Sequence, residues 1–274
     1  MDKVAISNIA WPTDQDREAL SLCARCGFTG IEIAPGKTFT DWPRNAPDIG
    51  GLKAIVANYG LSVVALQAIL VGIEGVELFR SDETRARLAK HLREVAKLAG
   101  VLGARACVYG APRSRDPGQL PFDAALNIAI DFFSSIAPAF EAEGTCLAFE
   151  ANDASYGCRF VTRTTEAIDL VRRVSRPGVR VQIDTGTVFL GNEENAVITE
   201  AVSLAGHFHA SEPQLAPVGS GNSDHQLIAA ALRAAGYDGW MSVEMRQTDD
   251  WRGNIERAAD LMATVYRPPS GPAK

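Results

Sequence analysis

Short apolar runs rich in β-forming residues alternate along the chain with longer stretches in which apolar positions recur every three to four residues. In the first half, the runs at 4–9, 28–34, 61–70 and 104–109 predict strands, and the stretches 14–26, 49–59, 82–100 and 122–143 predict the helices that follow them. Ser81 stands where the third helix needs its N-cap, and a glycine closes that helix. Pro35-Gly36 and Gly110-Ala111-Pro112 end the second and fourth strands. After Gly144 three runs finish on an acid: 146–150 on Glu150, 179–184 on Asp184 and 240–244 on Glu244. A fourth run, 206–212, carries His207 and His209 on alternate positions, so that in a strand both imidazoles share a side. Helical patterns near 165–174, 193–203, 224–235 and 252–266 complete the series.

Eight strand-then-helix units imply a parallel sheet with right-handed crossovers, and eight such units close into a barrel. A doubly wound open sheet has the same local pattern, but it needs a glycine-rich turn after its first strand. Asn8-Ile9-Ala10-Trp11-Pro12 contains no glycine. The expected architecture is therefore α/β, a single-domain (β/α)8 TIM barrel over residues 1–267, followed by a disordered proline-rich tail at 268–274.

Composition narrows the setting. With 46% hydrophobic and 22% charged residues the chain is of globular type, and no apolar run is long enough to span a bilayer. No secretory pattern precedes the first strand, which points to the cytoplasm. Five cysteines without framework spacing fit reduced thiols, and the Cys23–Cys26 pair lies on an amphipathic helix where packing explains it. The net charge of -6 argues against a nucleic-acid partner.

A barrel gathers the carboxyl ends of its strands on one face, so Glu150, Asp184, His209 and Glu244 are expected to converge there. Each alone has a plainer explanation. Asp184 before Thr185-Gly186-Thr187 suits an N-cap, and a histidine on an apolar strand is commonly hydrogen-bonded core. Four on successive strands point instead to one site. Three carboxylates and an imidazole suit one divalent ion, Mn2+ first, with Mg2+, Co2+ and Zn2+ as alternatives. Open positions on such an ion permit Lewis-acid chemistry.

Other polar residues fall near the same face: Glu32 and Lys37 after the second strand, Gln67 late in the third, Asn152 and Tyr156 after Glu150. Arg113 and Arg115 are placed to take a phosphate or carboxylate bidentately. Arg246 is expected on the side of Glu244, and Trp11 is expected to floor the pocket. His207 reads as a supporting histidine in a deeper layer, whereas His91 and His225, on helices, are expected to be exposed.

The pattern resembles the xylose isomerase-like TIM barrel superfamily, in its sugar phosphate isomerase/epimerase branch that includes the ketose 3-epimerases. The likeness runs from Ile6-Ser7-Asn8-Ile9-Ala10-Trp11 and Gly30-Ile31-Glu32-Ile33-Ala34-Pro35 to Val243-Glu244. It implies that Glu150, Asp184, His209 and Glu244 bind one divalent metal and that Glu150 and Glu244 also serve as an acid/base pair. The implied reaction is isomerisation or epimerisation of a sugar, sugar phosphate or sugar-like polyol through an enediolate. The alternatives are dehydration of a keto-inositol-like substrate and a non-catalytic sugar-binding barrel. A homodimer is implied by analogy alone. Thr187 and Leu215 depart from the epimerase pattern, which has a sugar-contacting histidine and arginine there, so the standard free ketose is not the expected substrate. The related apurinic endonucleases need more histidines than the four here and a basic DNA face.

Overall fold

A computed structural model describes residues 3–39, 42 and 49–267. Its eight strands are β1 (Val4–Ser7), β2 (Gly30–Ile33), β3 (Ser62–Leu66), β4 (Ala106–Tyr109), β5 (Cys146–Glu150), β6 (Val179–Asp184), β7 (Ala205–Ser211) and β8 (Met241–Glu244). They pair in sequence order into a closed parallel barrel, β8 returning to β1 with Ala5 beside Ser242 and Ile6 beside Val243. The helices are α1 (Asp16–Arg25), α2 (Pro35–Thr38), α3 (Ile49–Asn58), α4 (Asp82–Leu102), α5 (Phe122–Ala142), α6 (Thr164–Val174), α7 (Thr185–Leu190), α8 (Asn195–Val202), α9 (His225–Ala234) and α10 (Trp251–Leu261). The expected (β/α)8 architecture is present. The proposed tail lies outside the described residues.

Period-two alternation splits each strand between two environments. Ile6, Ile31, Leu147, Ile183 and Val243 face the helical layer and are fully buried there. Side chains such as Leu88, Leu92, Val95 and Leu102, spaced by three, four and seven residues on α4, belong to the same buried layer where α4 packs on β3 and β4. Each such residue contributes about 1.5–3 kcal/mol through burial. The interior is plugged at one end by a separate cluster of Ala5, Val64, Ala106, Cys146 and Ala148, with Trp240 against it. Gly30 belongs to that plug for steric reasons, since a Cβ there would lie 2.6 Å from Val64 and 2.8 Å from Trp240. With this end filled, the inward polar side chains of β2, β6, β7 and β8 stack toward the other.

Helix ends follow their side chains. Ser81 and Thr84 form a reciprocal capping box on α4, and Gly103, at φ 83°, closes it in the left-handed region. Three boundaries differ from the sequence pattern. β1 stops at Ser7, whose Oγ accepts from Ile9 N and opens a 3-10 turn over Asn8–Ala10. β3 stops at Leu66, leaving residues 67–81 as a long connection. The last helix ends in a π turn, Met262–Tyr266, that buries Tyr266.

His91 and His225, expected to be exposed, are both buried. His91 Nε2 meets Ile69 O at 2.8 Å, and His225 lies between Tyr266 Oη at 2.7 Å and Glu212 Oε1 at 3.2 Å. Cys23 is buried in the core and all five cysteines are free. No helix among the described residues is long and apolar enough to cross a membrane.

Candidate active site

Strand register brings the four end residues to one level of the barrel. Asp184 lies beside His209, His209 beside Ser242, and Ser211 beside Glu244. One ligand atom from each of Glu150, Asp184, His209 and Glu244 falls within 4.8 Å of the others. His209 Nδ1 is the centre of the group, 3.1 Å from Glu244 Oε2, 3.8 Å from Glu150 Oε1 and 3.9 Å from Asp184 Oδ2. It makes no hydrogen bond.

Three of the four members are held from behind. His209 Nε2 meets both oxygens of Glu32, at 3.1 and 3.0 Å, and Ser242 Oγ donates to Glu32 Oε2 at 2.7 Å. Asp184 fulfils both readings of its position: Oδ1 accepts from Thr187 N at 2.7 Å and caps α7, while Oδ2 accepts from Ser211 Oγ at 2.6 Å. Glu150 Oε2 accepts from Asn152 Nδ2 at 2.7 Å. Gly110 is what makes room for Glu150, because a Cβ there would lie 2.0 Å from its Oε2.

The crowding of acids sets the electrostatics. Burial, then repulsion from Asp184 and Glu244, pushes the Glu150 carboxyl up to about 8. Burial also raises Glu244. Burial opposes charge on His209, yet Glu32 and Glu244 outweigh it and hold the imidazole well above its ordinary value. For Glu32 the balance runs the other way: burial would raise it, but His209 and His207 keep it well below the usual carboxylate range. His207 Nε2 stands 3.6 Å from Glu32 Oε2 without a hydrogen bond, in the deeper layer expected of it. Three carboxylates, two of them resisting ionisation, surround an imidazole nitrogen with no partner. This is a donor set that a single divalent cation fits, three oxygens and one nitrogen, with Glu32 behind the histidine.

Above the cluster opens a cavity of about 750 Å3 that Gln67, Arg113, Tyr156, Glu150 and Glu244 help line. Asn152 and Tyr156 also border a smaller cavity of about 310 Å3 together with Asp184, Thr187 and Leu215. Five expected contacts fall elsewhere. Trp11 is 1% exposed and packs in the core, donating through Nε1 to Asp16 Oδ1 at 2.8 Å. The Asn8–Ala10 turn carries it off the barrel axis. Lys37 spends its ammonium on the backbone oxygens of Asn8 and Trp11, and burial lowers its pKa to about 8. Glu32 lies one layer beneath the cavity, under His209. Arg115 is fully buried rather than open to an anion: it donates to Asn152 Oδ1 at 2.8 Å and to Tyr109 O at 3.3 Å, with its guanidinium 4.9 Å from the Phe149 ring centre. It thereby fixes the amide that holds Glu150. Arg246 is exposed and borders neither cavity, because β8 ends at Glu244 and strand alternation no longer applies beyond it.

Gly110, Ser211 and Ser242 are neighbours of the cluster that the sequence pattern did not single out. The serines had a signal, since each lies two residues from a quartet member on the same strand face. Gly110 had none beyond its place after β4.

Fold and cluster together define a (β/α)8 barrel with a carboxylate–histidine site at the strand carboxyl ends. The profile of the family described as xylose isomerase-like TIM barrel matches residues 20–265, and the chain belongs to that family. Among solved structures, D-psicose 3-epimerase with D-tagatose from Clostridium cellulolyticum H10 aligns with a TM-score of 0.81 at 17% identity, over 97% of this chain and 100% of that one. L-ribulose 3-epimerase aligns at 0.80 and 19%, over 97% and 95%. The 3-keto-D-glucoside 4-epimerase of E. coli aligns at 0.75 and 17%, over 94% and 97%. At these identities what is shared is the fold.

Proposed function

We propose that the protein is a divalent-metal-dependent isomerase or epimerase acting on a sugar, sugar phosphate or sugar-like polyol. The observation that carries this reading is the convergence of Glu150, Asp184, His209 and Glu244 at the base of a cavity. The sugar epimerases that share the fold support it. The quartet would hold the ion, with Mn2+ best suited to three oxygens and one nitrogen. When bound, it supplies positive charge against the anion that develops as a carbon next to a carbonyl loses its proton.

The chain's own groups handle the proton. Glu150 and Glu244 stand on β5 and β8, three strands apart on the rim, and both border the cavity. Burial raises both carboxyls in the metal-free protein, and a bound cation would lower them again toward the ionised form that takes a proton from the substrate. Removal by one and return by the other inverts a stereocentre, whereas return to the adjacent carbon isomerises aldose to ketose. Asn152 orients Glu150, and Gln67 and Tyr156 are positioned for substrate hydroxyls. The five unpaired cysteines suit a reducing compartment, and we place the protein in the cytoplasm.

The test is solvent-proton exchange at substrate carbons across a carbohydrate panel, with metal analysis of the purified protein. Glu150→Gln and Glu244→Gln each slow exchange by about 10²–10⁴-fold. Exchange at the wild-type rate in both variants rejects the mechanism, and product identity separates epimerisation, isomerisation and elimination.

A further inference from the structure

The cavity over the quartet is two-sided. At about 750 Å3 it lies in the upper part of the range of small-molecule sites, roughly 300–1,000 Å3. Glu150, Glu244, Gln67 and Tyr156 make its inner end polar. The outer wall is aliphatic, built by Ile69, Leu70, Val71, Ile73 and Val76 from the 67–81 connection, with Leu215 also in the lining.

That wall is built in advance. His91, buried on α4, holds Ile69 O at 2.8 Å, Leu78 N donates to Ser114 O at 2.7 Å, and Arg85 Nε donates to Leu78 O at 2.9 Å. Within the connection, Val71 N donates to Ala68 O at 3.0 Å and Ile73 N to Leu70 O at 3.2 Å. Val71 is consequently kept out of the core, 65% exposed beside the mostly buried Leu70. Of the charged lining residues, Glu74 and Arg113 are exposed and Glu77 pairs with Arg80 at 3.2 Å.

Building on the carbohydrate reading, we propose that the substrate is a carbonyl-bearing sugar or polyol that carries an aryl or alkyl substituent, rather than a bare sugar. Its carbonyl-bearing part faces Glu150 and Glu244, and the substituent rests on the 69–76 wall, a contact that glycosides probe as unreactive stand-ins. A free sugar pressed against that wall would lose water from hydroxyls that find no partner there. An apolar substituent gains from the same contact in proportion to the area it buries.

The test is titration calorimetry of the full-length, Mn2+-loaded protein with matched methyl and phenyl glycosides of glucose, galactose, mannose and xylose, both anomers, and with phenol alone. Burying about 100 Å2 of ring predicts that the phenyl member of the best pair binds at least about tenfold tighter than the methyl member. Val71→Asp, at an exposed side chain that folding does not need, and Ile73→Ser each reduce that ratio toward one. Equal affinity within every pair, or a ratio unaltered in both variants, overturns this inference and leaves the carbohydrate reading standing. Phenol binding as tightly as its glycosides, or binding by no glycoside, also overturns this inference, and the carbohydrate reading then stands or falls on the proton-exchange panel alone.

Discussion

Replacing Glu32 tests how the quartet is held without touching any of its members. Glu32→Gln keeps the shape of the side chain and an oxygen to accept from His209 Nε2, but removes the negative charge that opposes burial of a protonated or cation-bearing imidazole. Glu32 is 0% exposed and faces His209 at 3.0 and 3.1 Å, so solvent cannot replace it. Loss of such a supporting carboxylate lowers cation affinity by about 10–100-fold, or about 1.4–2.8 kcal/mol. The glutamine variant belongs near the lower bound because one hydrogen bond survives. Glu32→Ala belongs near the upper bound, and it also strands His209 Nε2 and Ser242 Oγ, at about 1–3 kcal/mol of folding stability each. Calorimetric titration with Mn2+ measures the first effect, and thermal melts of the metal-free proteins measure the second. Should Glu32→Gln bind Mn2+ as tightly as the wild type, the proposed support of His209 is wrong. A lowered melting temperature with unchanged affinity would reduce Glu32 to a core residue.

Three further outcomes follow from the same geometry. In the metal-free protein the Glu150 carboxyl titrates near 8 when folded and near 4.5 when unfolded, so the folded state holds its proton more tightly. Stability therefore falls as pH rises between those values, by on the order of a few kcal/mol, and Mn2+ reverses the loss; a flat denaturation profile from pH 5 to 8 contradicts this. Gly110→Ala puts a methyl group 2.0 Å from the present position of Glu150 Oε2, and it should lower cation affinity and proton exchange by about tenfold or more while the circular dichroism stays that of a barrel. Arg115→Lys loses the planar fork that reaches Asn152 and Tyr109 together, and should lower unfolding free energy by about 1–3 kcal/mol in denaturant titration; an unaltered midpoint would mean that the buried guanidinium holds nothing in place.

Reach along the chain separates what the sequence disclosed from what it hid. The barrel was legible because strand and helix periods alternate without interruption, and the quartet because each member lies inside a strand at or within two residues of its end, where period-two alternation still dictates the side it faces. Past a strand end that rule lapses. Arg246 and Trp11, each only a few residues beyond one, were assigned a side that turns in the backbone had already cancelled. Depth was hidden for a different reason. Glu32 faces inward as alternation requires, but its layer depends on how the strands stagger around the barrel, with Glu32 level with Ser7 and Ala65. Arg115 was hidden because its burial rests on partners of β5 and the segment after it, Phe149 and Asn152.

The helical histidines show that more could have been read. His91 lies three residues after Leu88 and four before Val95, and His225 lies three, four and seven before Ile228, Ala229 and Leu232. Both therefore sit on the buried stripe of their helices. A histidine on such a stripe needs a polar partner, and the partner is found where a loop passes over the helix. His91 takes Ile69 O of the 67–81 connection, and His225 takes Glu212, whose carboxylate also accepts from Ser223 Oγ and Gly219 N. These are the two connections that carry the aliphatic wall and Leu215 to the cavity. The outer helices thus shape the mouth through buried imidazoles, while the strands and the segments just after them place the quartet, so that the two sides of the site rest on different supports.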